Sequence, residues 1–407
     1  MSHAALPIFP DPSERTLFVV HLAATFGGAE RTTLNLLAGL DRSVFTRVAL
    51  LAPRTMHDCW RDVADVLIDA EPLAMAGWFD TPVRLARDVE HLAPVIRDMR
   101  ADVVIGMMHY MAVVAELAVR KYKLDARVIG SFRGPVFEHL NAYEPSRWRR
   151  WWISWQLRRA ARGMFCIIVP GIGTRDELLR HRVGVASQMR VVPNGIDPLL
   201  FAHLAEGPLE LPAGVKPGRF VLALGRLSVE KHFDDILTAY ASSGVPWPLV
   251  IVGEGPELEP LTRQATDLGI AAHVHFAGVT QTPERWMRRA GVFVHTCQYE
   301  GFGYVLLEAA ALGTPVIATD CPFGPREVLG RAGLLVGLGN QTELAAAMRQ
   351  LVHDAALRER LSLAGRSRAL DFPLRKNQVE LAALLQAALE QPSVKPCRAR
   401  HADFDAG

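Results

Sequence analysis

Short apolar runs alternate with longer amphipathic stretches along most of this chain. Leu17–Leu22 and Met164–Val169 are typical of the runs, since they are short and apolar on both faces, and Thr81–Met99 is typical of the stretches with helical periodicity between them. Strands that are apolar on both faces are typical of parallel sheets, whose strands are joined by crossover helices. The alternation therefore predicts an α/β fold.

The predicted strands fall into two groups. The first group is Leu17–Leu22, Arg47–Leu51, Asp102–Gly106, Arg127–Ser131, Met164–Val169 and Arg190–Val192. The second group is Phe220–Leu224, Leu249–Val252, His273–Phe276, Val292–His295, Pro315–Thr319 and Leu334–Val336. Helices are predicted between the strands, and two more are predicted at the end of the chain, over Leu357–Ala369 and Leu374–Glu390.

Residues 194–218 separate the two groups of strands. Asn194–Pro198 has the composition of a turn, and Glu206–Arg219 contains three Pro and three Gly, which is typical of a linker. We expect two Rossmann-like, doubly wound domains, residues 1–195 and 196–372, which face each other across a cleft at the carboxyl ends of their strands. Residues 373–407 are predicted to form a helix that packs back toward the N-terminal domain, followed by a frayed tail.

Composition excludes several classes of protein. Half of the 407 residues are hydrophobic, which predicts packed cores, and 45 Lys and Arg against 43 Asp and Glu do not favour nucleic-acid binding. The five cysteines are scattered, with no CxxC motif or Cys/His cluster, which argues against a disulfide framework and a structural zinc site. No segment is typical of a membrane span or a secretory signal, so a cytoplasmic location is expected.

The strongest candidate site is Glu300–Glu308, which follows a predicted strand and opens a predicted helix. Gly301 and Gly303 permit the backbone to approach a ligand closely, and the helix N-terminus offers N–H groups to an anion. The carboxylates of Glu300 and Glu308 suit sugar hydroxyls. The alternative is an ordinary solvated glutamate and a first-turn glutamate that stabilises the helix.

Two weaker candidates also follow predicted strands. Gly225–Lys231 contains two cations that suit a diphosphate, although an ordinary surface turn has the same composition. Phe26–Arg31 places Gly27 and Gly28 before a predicted helix, as an anion cradle or as a flexible turn. No complete GxGxxG fingerprint or GxxxxGK[ST] motif occurs, which disfavours NAD binding and P-loop chemistry.

Together these motifs resemble family 4 of the retaining, nucleotide-sugar-dependent glycosyltransferases, which have the GT-B fold. The resemblance covers residues 15–372, in which the motifs occur in the family's order: Gly27-Gly28, Pro193–Asp197, Gly225-Arg226-Leu227 with Glu230-Lys231, Val252–Pro256, Phe276-Ala277-Gly278, Glu300–Glu308 and Gly313–Val316. Asp320–Glu327 resembles the branch that works on lipopolysaccharide cores, exopolysaccharides and lipid-linked oligosaccharides.

The resemblance implies a role for each residue of a donor site. Arg226 and Lys231 would bind the donor diphosphate and stabilise the leaving nucleotide. Glu300 would bind hydroxyls of the donor sugar, and Glu308 would bind those of the ribose. The other implied donor-binding residues are Gly27, Gly28, Gly301, Phe302, Gly303, Tyr304 and, near the base, Val279. His232 stands where the family usually has Gly, which leaves the conformation of this loop open.

Two residues of the N-terminal half are candidates on the acceptor side. A polar residue at the position of His109 often contacts the donor sugar or the acceptor in the family, so His109 is also a catalytic candidate. The alternative is a capping or core histidine, and the family's usual His-x-His pattern is absent. Arg133 ends the next strand and is a candidate for binding an acidic acceptor group, or else a surface arginine on a mobile loop.

No metal or other cofactor is expected. No Asp-x-Asp motif follows a predicted strand, so Arg226, Lys231 and the helix at Tyr304–Leu312 would have to neutralise the leaving diphosphate. The expected mechanism is front-face retention, in which the leaving phosphate accepts the proton of the acceptor. The absence of an obvious protein nucleophile is consistent with this mechanism.

The stretch Pro145–Arg162 combines tryptophan with arginine. As a helix it places four tryptophans on one stripe, accompanied by six arginines and no acidic residue. These four are Trp148, Trp151, Trp152 and Trp155. Such a helix suits an anionic membrane interface, but it equally suits a core helix, or a helix whose stripe is divided between core and surface.

The predicted function is transfer of a hexose or N-acetylhexosamine from a UDP-sugar to a glycan acceptor, itself lipid-linked, in cell-surface polysaccharide synthesis. The enzyme would be cytoplasmic or peripheral on the inner face of the plasma membrane. The alternatives are a GDP-mannose-dependent mannosyltransferase, a non-catalytic sugar-nucleotide-binding protein and a non-hydrolysing epimerase of similar fold. The expected partners are a nucleotide sugar, a glycan acceptor and an anionic membrane surface, with no nucleic acid.

Overall fold

The computed structural model describes residues 14–22, 27–71, 73 and 79–390, and the predicted tail from residue 391 lies outside them. Within these residues the strands of the N-terminal half are Thr16–Val20 (β1), Arg47–Ala52 (β2), Val66–Asp69 (β3), Ala101–Met107 (β4), Arg127–Ser131 (β5), Cys166–Val169 (β6) and Met189–Val191 (β7). Those of the C-terminal half are Val221–Leu224 (β8), Leu249–Val252 (β9), Val274–Phe276 (β10), Val292–His295 (β11), Val316–Thr319 (β12) and Leu334–Val336 (β13).

Helices connect the strands in both halves. In the first half they are Gly28–Ala38 (α1), His57–Trp60 (α2), Pro82–Asp98 (α3), Met108–Tyr122 (α4), Val136–Tyr143 (α5), Arg147–Ala161 (α6) and Ile172–Arg180 (α7). The others are Pro198–Leu204 (α8), Phe233–Ser243 (α9), Leu258–Asp267 (α10), Pro283–Arg289 (α11), Tyr304–Leu312 (α12), Pro325–Leu329 (α13), Gln341–His353 (α14), Ala355–Ala369 (α15) and Leu374–Glu390 (α16). Four 3₁₀ turns, Arg54–Met56, Ala186–Gln188, Val229–Lys231 and Ala271–His273, complete the described elements.

The strands form two sheets with the same winding. The first has the order β3-β2-β1-β4-β5-β6-β7, the second has the order β10-β9-β8-β11-β12-β13, and the paired strands are parallel. Each sheet starts at a central strand, winds to one edge and then reverses to the other. This arrangement confirms the predicted α/β class with two doubly wound sheets.

Burial on both faces explains why the strands are continuously apolar. Along β1, Phe18 and Val20 enter one hydrophobic core, while Leu17 and Val19 enter the core on the opposite face. The C-terminal sheet likewise lies between two cores. Strand β3 was not predicted from the sequence. It lies at the edge of its sheet and is only half-buried, so it lacks an apolar pattern on both faces.

The chain passes between the two halves at two neighbouring places. Ile196 donates a backbone hydrogen bond to Phe372 (2.9 Å) and accepts one from Leu374 (3.1 Å), so the two crossings are joined to each other. Helix α16 then lies on the N-terminal half, where Leu381 and Leu385 enter its core. The second crossing therefore returns the chain to the first domain.

The interval between the sheets is more ordered than its Pro and Gly content predicts. Residues 194–218 were expected to be a turn and a linker, but Pro198–Leu204 is helical. Asp197 caps this helix by accepting hydrogen bonds from the backbone amides of Leu199 (3.0 Å) and Leu200 (3.1 Å), and proline at the first helical position is pre-organised for a helix. The segment between the sheets therefore contains a short helix, because Asp-Pro serves a helix N-terminus as well as a turn.

No helix among the described residues has both the length and the apolar character needed to cross a lipid bilayer.

Candidate functional site

The carboxyl ends of β8 and β11 lie side by side where the strand order of the C-terminal sheet reverses. Open α/β sheets bind ligands at this point. The loop after β8 carries Arg226 and Lys231, the loop after β11 carries Glu300, and α12 begins directly after that loop. The topology thus brings the two strongest sequence motifs of the C-terminal half together.

Lys231 and Glu300 form an ion pair at this point. Lys231 Nζ lies 2.7 Å from Glu300 Oε2, which also lies 3.2 Å from Nε2 of His295. Although burial opposes ionisation of the carboxyl group, Lys231 and His295 hold the pKa of Glu300 well below its usual range. Burial likewise opposes the charge on Lys231, but Glu300 raises the pKa of that ammonium group. At neutral pH the pair therefore offers a cation and a carboxylate within one hydrogen-bond length.

The loops after β8 and β11 hold each other in place. Thr296 Oγ1 donates to the carbonyl oxygens of Lys231 and His232, at 2.8 Å each. His232 adopts a left-handed backbone conformation with a φ of +48°, which residues other than glycine rarely occupy. The loop left open by the sequence is therefore a left-handed turn of the kind that glycine would form without strain.

Arg226 and Val279 lie on an exposed shelf next to this pair. Backbone hydrogen bonds join the loops after β8, β9 and β10, from Gly225 to Val252 (3.1 Å) and from Gly253 to Gly278 (2.8 Å). Val279 is 59% exposed, Arg226 is also exposed, and Arg226 forms no ion pair with the described residues. Four adjacent strands at about 4.8 Å spacing make this edge roughly 15 Å long, which suits an extended ligand.

Two glycines shape the start of α12. Gly303 has a φ of +82° and is the residue immediately before the helix, so a side chain there would be strained. At Gly301, a Cβ atom would collide with the carbonyl oxygen of Arg133 from the opposite domain. Phe302, between them, is buried in the core of the C-terminal half. The loop therefore permits close approach of the N-terminal half to the N-terminus of α12.

The N-terminus of α1 faces the N-terminus of α12. Gly27 precedes α1 in an extended conformation, and a Cβ atom built on Gly28 would lie 3.6 Å from Cβ of Tyr304. The Tyr304 hydroxyl donates to the carbonyl oxygen of Gly195 (2.8 Å) and accepts from Nδ2 of Asn35 (3.0 Å). Both helix N-termini, with their positive dipole ends, therefore point into the same part of the cleft. Phe26 of the same motif lies outside the described residues.

Glu308 is engaged across the cleft by Arg31, whose Nη1 lies 3.3 Å from Glu308 Oε1. Burial raises the pKa of Glu308 to about 7, despite the opposing influence of Arg31. Sequence reasoning quoted Arg31 as part of the Gly-Gly motif without giving it a role. Its position, one turn into a helix that begins at the cleft, could have indicated a contact with the opposite half. A nucleotide that used Glu308 would have to share or displace this ion pair.

Arg133 lies in the interior of the molecule, not on a mobile surface loop. Its side chain is 9% exposed, and its Nη2 donates to Oδ1 of Asn194, which also accepts from Thr32 Oγ1 in the first turn of α1 (2.9 Å). In the described part of the chain its Nη1 has no hydrogen-bond partner, and burial lowers the pKa of Arg133 to about 10. Beside Gly301, Arg133 is thus a buried cation next to the N-terminus of α12.

His109 lies at the start of α4, packed against aromatic rings. The ring of Phe79 stacks at 6.1 Å between centroids, and Phe132 approaches edge-on at 6.4 Å. Burial lowers the pKa of His109 to about 3, so its imidazole is neutral at physiological pH. This packing matches the core alternative, and a role toward the donor sugar or the acceptor stays a prediction.

Two contacts that the sequence did not indicate also join the halves. The hydroxyl of Tyr299, next to Glu300, lies 2.5 Å from Nδ1 of His139 in α5. Glu327 accepts from the backbone amide of Ile172 at the N-terminus of α7, with both oxygens at 3.1 Å. No local pattern marks these pairs, because each partner lies at least 155 residues from the other.

The tryptophan stripe of α6 is divided between the surface and the core. Trp148, Trp151 and Trp155 are 63%, 59% and 43% exposed. Trp152 is 7% exposed and packs edge-on against Phe79 with ring centroids 6.0 Å apart, so the prediction that it contacts a membrane is wrong. The cause is the angular width of the stripe, whose inner edge reaches the core.

Matches to known families extend over both halves. The profile described as "Glycosyltransferase Family 4" matches residues 26–199, and that of "Glycosyl transferases group 1" matches residues 213–368. The chain belongs to glycosyltransferase family 4. Both domains of the family are present, in the predicted order, and the chain resembles its lipopolysaccharide and exopolysaccharide members.

Individual relatives of this family 4 member differ in their named donors and products. A lipopolysaccharide core biosynthesis glycosyltransferase, LpsE of Rhizobium meliloti, is 32% identical over 204 residues, or 49% of this chain and 57% of the relative. A GDP-mannose-dependent mannosyltransferase of Mycobacterium tuberculosis, acting on phosphatidylinositol monomannoside, is 34% identical over 227 residues, or 52% of this chain and 58% of the relative. The chain thus spans little more than half the length of these curated relatives.

A solved structure agrees with the GT-B fold over nearly the whole chain. Anabaena Alr3699/HepE, crystallised in complex with UDP-glucose, superposes with a TM-score of 0.74 at 18% identity, covering 91% of this chain and 99% of that protein. At this identity the likeness establishes the fold of the family 4 member and leaves its ligand to be argued from the site.

Proposed function

We propose that this chain is a glycosyltransferase that moves a hexose or an N-acetylhexosamine from a UDP-linked donor to a glycan acceptor. The observation that carries the proposal is the Lys231–Glu300 pair, 2.7 Å apart, at the N-terminus of α12. A phosphate needs the cation and the helix N-terminus, and a sugar needs the carboxylate. Their juxtaposition suits a sugar joined to a diphosphate.

Catalysis would consist mainly of stabilising the leaving diphosphate. Lys231, Arg226 and the N-terminus of α12 would neutralise the charge that develops on it, without a metal ion. The leaving phosphate would accept the proton of the acceptor hydroxyl on the same face of the sugar, so the anomeric configuration would be retained. His109 stays a candidate for contact with the sugar, as a neutral imidazole.

The proposal also specifies the base of the donor nucleotide, which is uracil. The UDP-glucose complex of the structural relative supports a uridine nucleotide, whereas the mycobacterial relative supports the alternative, GDP-mannose. The base would lie beside the exposed Val279, and the ribose would reach Glu308. A non-catalytic sugar-nucleotide-binding protein and an epimerase remain as alternatives for the assays to separate.

A thermal-shift panel with UDP, GDP, ADP, CMP and NAD, each with EDTA, tests the donor. A ligand that binds only the folded protein raises its melting temperature, by an amount set by its affinity. A shift with UDP alone supports the proposal, and a shift with GDP alone supports the mannose alternative. Loss of the UDP shift in EDTA, restored by magnesium, would contradict the metal-independent mechanism.

Product analysis with the matching UDP-sugar tests the reaction itself. We expect transfer to a glycan acceptor with the anomeric configuration of the donor retained, measured by NMR of the product. Inversion would rule out front-face chemistry. Epimer formation without an acceptor would support an epimerase, and nucleotide binding without hydrolysis or transfer would support a non-catalytic protein.

The exposed tryptophans suggest where the acceptor comes from. Trp148 and Trp151 lie with ring centroids 5.9 Å apart, and the guanidinium of Arg159 lies 5.2 Å from the ring centre of Trp155. Tryptophan and arginine together favour the interface of an anionic membrane. We propose that this face of α6 contacts the membrane that holds a lipid-linked acceptor, which would make the enzyme peripheral.

Liposome flotation tests the membrane face. Replacing Trp148 and Trp151 by serine should release the protein from vesicles with anionic lipids without lowering its melting temperature. Leu363→Ser is the matched control, because Leu363 is a 64% exposed apolar residue on another helix, α15. Retained binding of the double variant, or equal loss in the control, would contradict the proposed face.

A further inference from the structure

Four side chains of metal-binding type, one of them Glu300 itself, lie together beside Lys231. His295 is the last residue of β11, and Cys297 follows it by two positions, which in an extended chain places both side chains on the same side. Cys321 follows the end of the neighbouring strand β12 by two positions. Glu300 completes the group from the loop after β11. The parallel pairing of β11 with β12 therefore brings these residues to one edge of the sheet.

Three of the donor atoms are close enough to share one ion, and the fourth, Cys321 Sγ, contacts one of these three. Cys297 Sγ lies 3.3 Å from Cys321 Sγ, and His295 Nε2 lies 3.2 Å from Glu300 Oε2. Ligand atoms of His295, Cys297 and Glu300 all lie within 4.8 Å of one another. Bonds of about 2.3 Å to sulfur and 2.0–2.1 Å to nitrogen or oxygen put the ligands of a tetrahedral zinc ion roughly 3.3–3.8 Å apart. Cys321 Sγ already lies at such a distance from Cys297 Sγ, and its side chain would have to adjust to reach the same distance from His295 and Glu300.

The surroundings fix the thiols and leave a route for an ion. Cys297 and Cys321 are buried, and the backbone amide of Cys297 donates to Thr319 Oγ1 (3.0 Å), which in turn donates to the Cys297 carbonyl oxygen (3.1 Å). The side chains of Glu300 and Lys231 keep 18% and 24% of their surface exposed. The cluster is thus held rigidly from behind and is reached from the cleft past Glu300.

We propose that His295, Cys297, Cys321 and Glu300 bind one thiophilic divalent cation, Zn²⁺ being the best fit, and that this ion inhibits the enzyme. Sulfur, nitrogen and oxygen ligands in a tetrahedral set favour Zn²⁺ over Mg²⁺ or Ca²⁺. On binding, the two thiols and the protonated imidazole of His295 release three protons to solvent, which leaves the imidazole neutral. The two thiolates, the Glu300 carboxylate, the Lys231 ammonium and the dication then sum to zero charge, so the nearby cation does not prevent binding.

Inhibition follows from the dual use of Glu300 and rests on the proposed function. A carboxylate that ligates Zn²⁺ cannot accept hydrogen bonds from the donor sugar with the same oxygen atoms. The ion would also sit where the sugar joins the diphosphate. The expected effect is therefore opposite in sign to that of a catalytic metal: a chelator activates or leaves the enzyme unchanged, and zinc switches it off.

Cobalt(II) spectroscopy on the reduced full chain tests the site directly. A Cys59→Ser, Cys397→Ser background removes two other thiols and leaves Cys166 for a matched control. We expect one Co²⁺ per chain, with a thiolate-to-cobalt charge-transfer band and the intense visible bands of tetrahedral cobalt, displaced by one equivalent of Zn²⁺. Cys297→Ser and Cys321→Ser should each weaken binding by more than the about 10–100-fold that loss of an outer-shell partner costs, whereas Cys166→Ser should not.

If a variant does not fold, the site can still be tested on the wild-type chain. ¹¹³Cd NMR reports the number of sulfur ligands from the chemical shift, and two are expected at a single site. No charge-transfer band and no such cadmium signal, or bands that persist in folded Cys297→Ser, would overturn the site. The Co²⁺ spectra need no nucleotide, so failure of the transferase proposal would leave them intact.

Transfer assays in EDTA and in buffered Zn²⁺ then test inhibition. The zinc concentration for half-inhibition should rise at least tenfold in Cys321→Ser, each variant being compared with its own zinc-free rate. EDTA should restore the wild-type rate. Zinc bound with the predicted spectrum but without loss of transfer would refute inhibition while retaining the site.

Discussion

The two sheets have the same strand order, yet the polar residues at their carboxyl edges differ in how far they are exposed to solvent. In the C-terminal half, Lys231 and Glu300 form a partly exposed ion pair, and Arg226 is exposed. In the N-terminal half, His109 and Arg133 are buried, His109 against aromatic rings and Arg133 against Asn194. The same topology therefore supports two kinds of surface.

This difference suggests a division of labour within the proposed function. The C-terminal half presents a preformed cation and carboxylate, which under the proposed function would hold the diphosphate and the sugar. The N-terminal half contributes the N-terminus of α1, Arg31 and Arg133. These groups lie at the place where this half contacts α12 and the loop before it. The predictions below test whether the chemistry resides in the C-terminal half and whether the N-terminal half acts only where it meets α12.

The largest effect is expected from Lys231→Ala. It removes the cation beside the leaving diphosphate and leaves the half-buried Glu300 without its ion pair to Lys231, so kcat/KM should fall by about 10³-fold. Steady-state kinetics measure this loss, with Arg263→Ala, an exposed cation on α10, as control. A fall of less than tenfold would show that the C-terminal half does not carry the chemistry as proposed.

The next effect concerns Glu308, where the halves meet. Burial raises the pKa of Glu308 to about 7 from its ordinary 4.5, so its contribution to stability is present below about pH 4.5 and is lost as pH rises through 7. A shift of this size corresponds to about 3 kcal/mol at most. Thermal denaturation should show wild type losing stability between pH 5 and 8, relative to Glu308→Gln. Parallel pH profiles of the two proteins would contradict the shift.

The affinity of Glu308→Gln for UDP tests whether Glu308 belongs to the donor site. If the ribose is held by the carboxylate, the variant should bind UDP about tenfold more weakly at pH 8, where wild type is ionised. The difference between the proteins should shrink toward pH 6. Isothermal titration measures it, and equal affinity at pH 8 would remove Glu308 from the donor site.

Arg133→Met tests the N-terminal half. A buried cation whose Nη1 lacks a partner is costly in the free protein, so its loss should not lower the melting temperature. If Arg133 faces the donor phosphates, kcat/KM should fall by about 10–100-fold, with a raised KM for the UDP-sugar. A raised KM for the acceptor alone would assign Arg133 to the acceptor, and unchanged kinetics with lower stability would make it purely structural.

The smallest effect is expected at His232. Glycine occupies a φ of +48° without strain, so His232→Gly should stabilise the protein by about 0.5–1 kcal/mol. Denaturant unfolding measures this, and Arg182→Gly, at a φ of +57° outside the site, is the matched comparison. Destabilisation at His232 alone would mean that its contacts with Asp234 and Asp235 outweigh the strain.

Much of the fold could be predicted because double-sided burial marks a strand locally. Arg127–Ser131, Leu249–Val252 and Val292–His295 were predicted with the bounds that the structure has, and so was helix Tyr304–Leu312. Elements without a full apolar pattern were missed, such as the half-buried β3 and the short helix α5. Their residues are ordered by neighbours that are distant in sequence.

Local patterns were enough to predict the two doubly wound sheets, the family and the residues at the carboxyl edge of the second sheet. These depend on periodicity and on motifs within a few residues of one another. The folded chain alone shows that Trp152 turns inward while Trp151 stays outside, that Arg31 reaches Glu308, and that two cysteines 24 positions apart meet beside His295. Periodicity states which face of an element is apolar, but packing alone decides which polar groups that burial brings together.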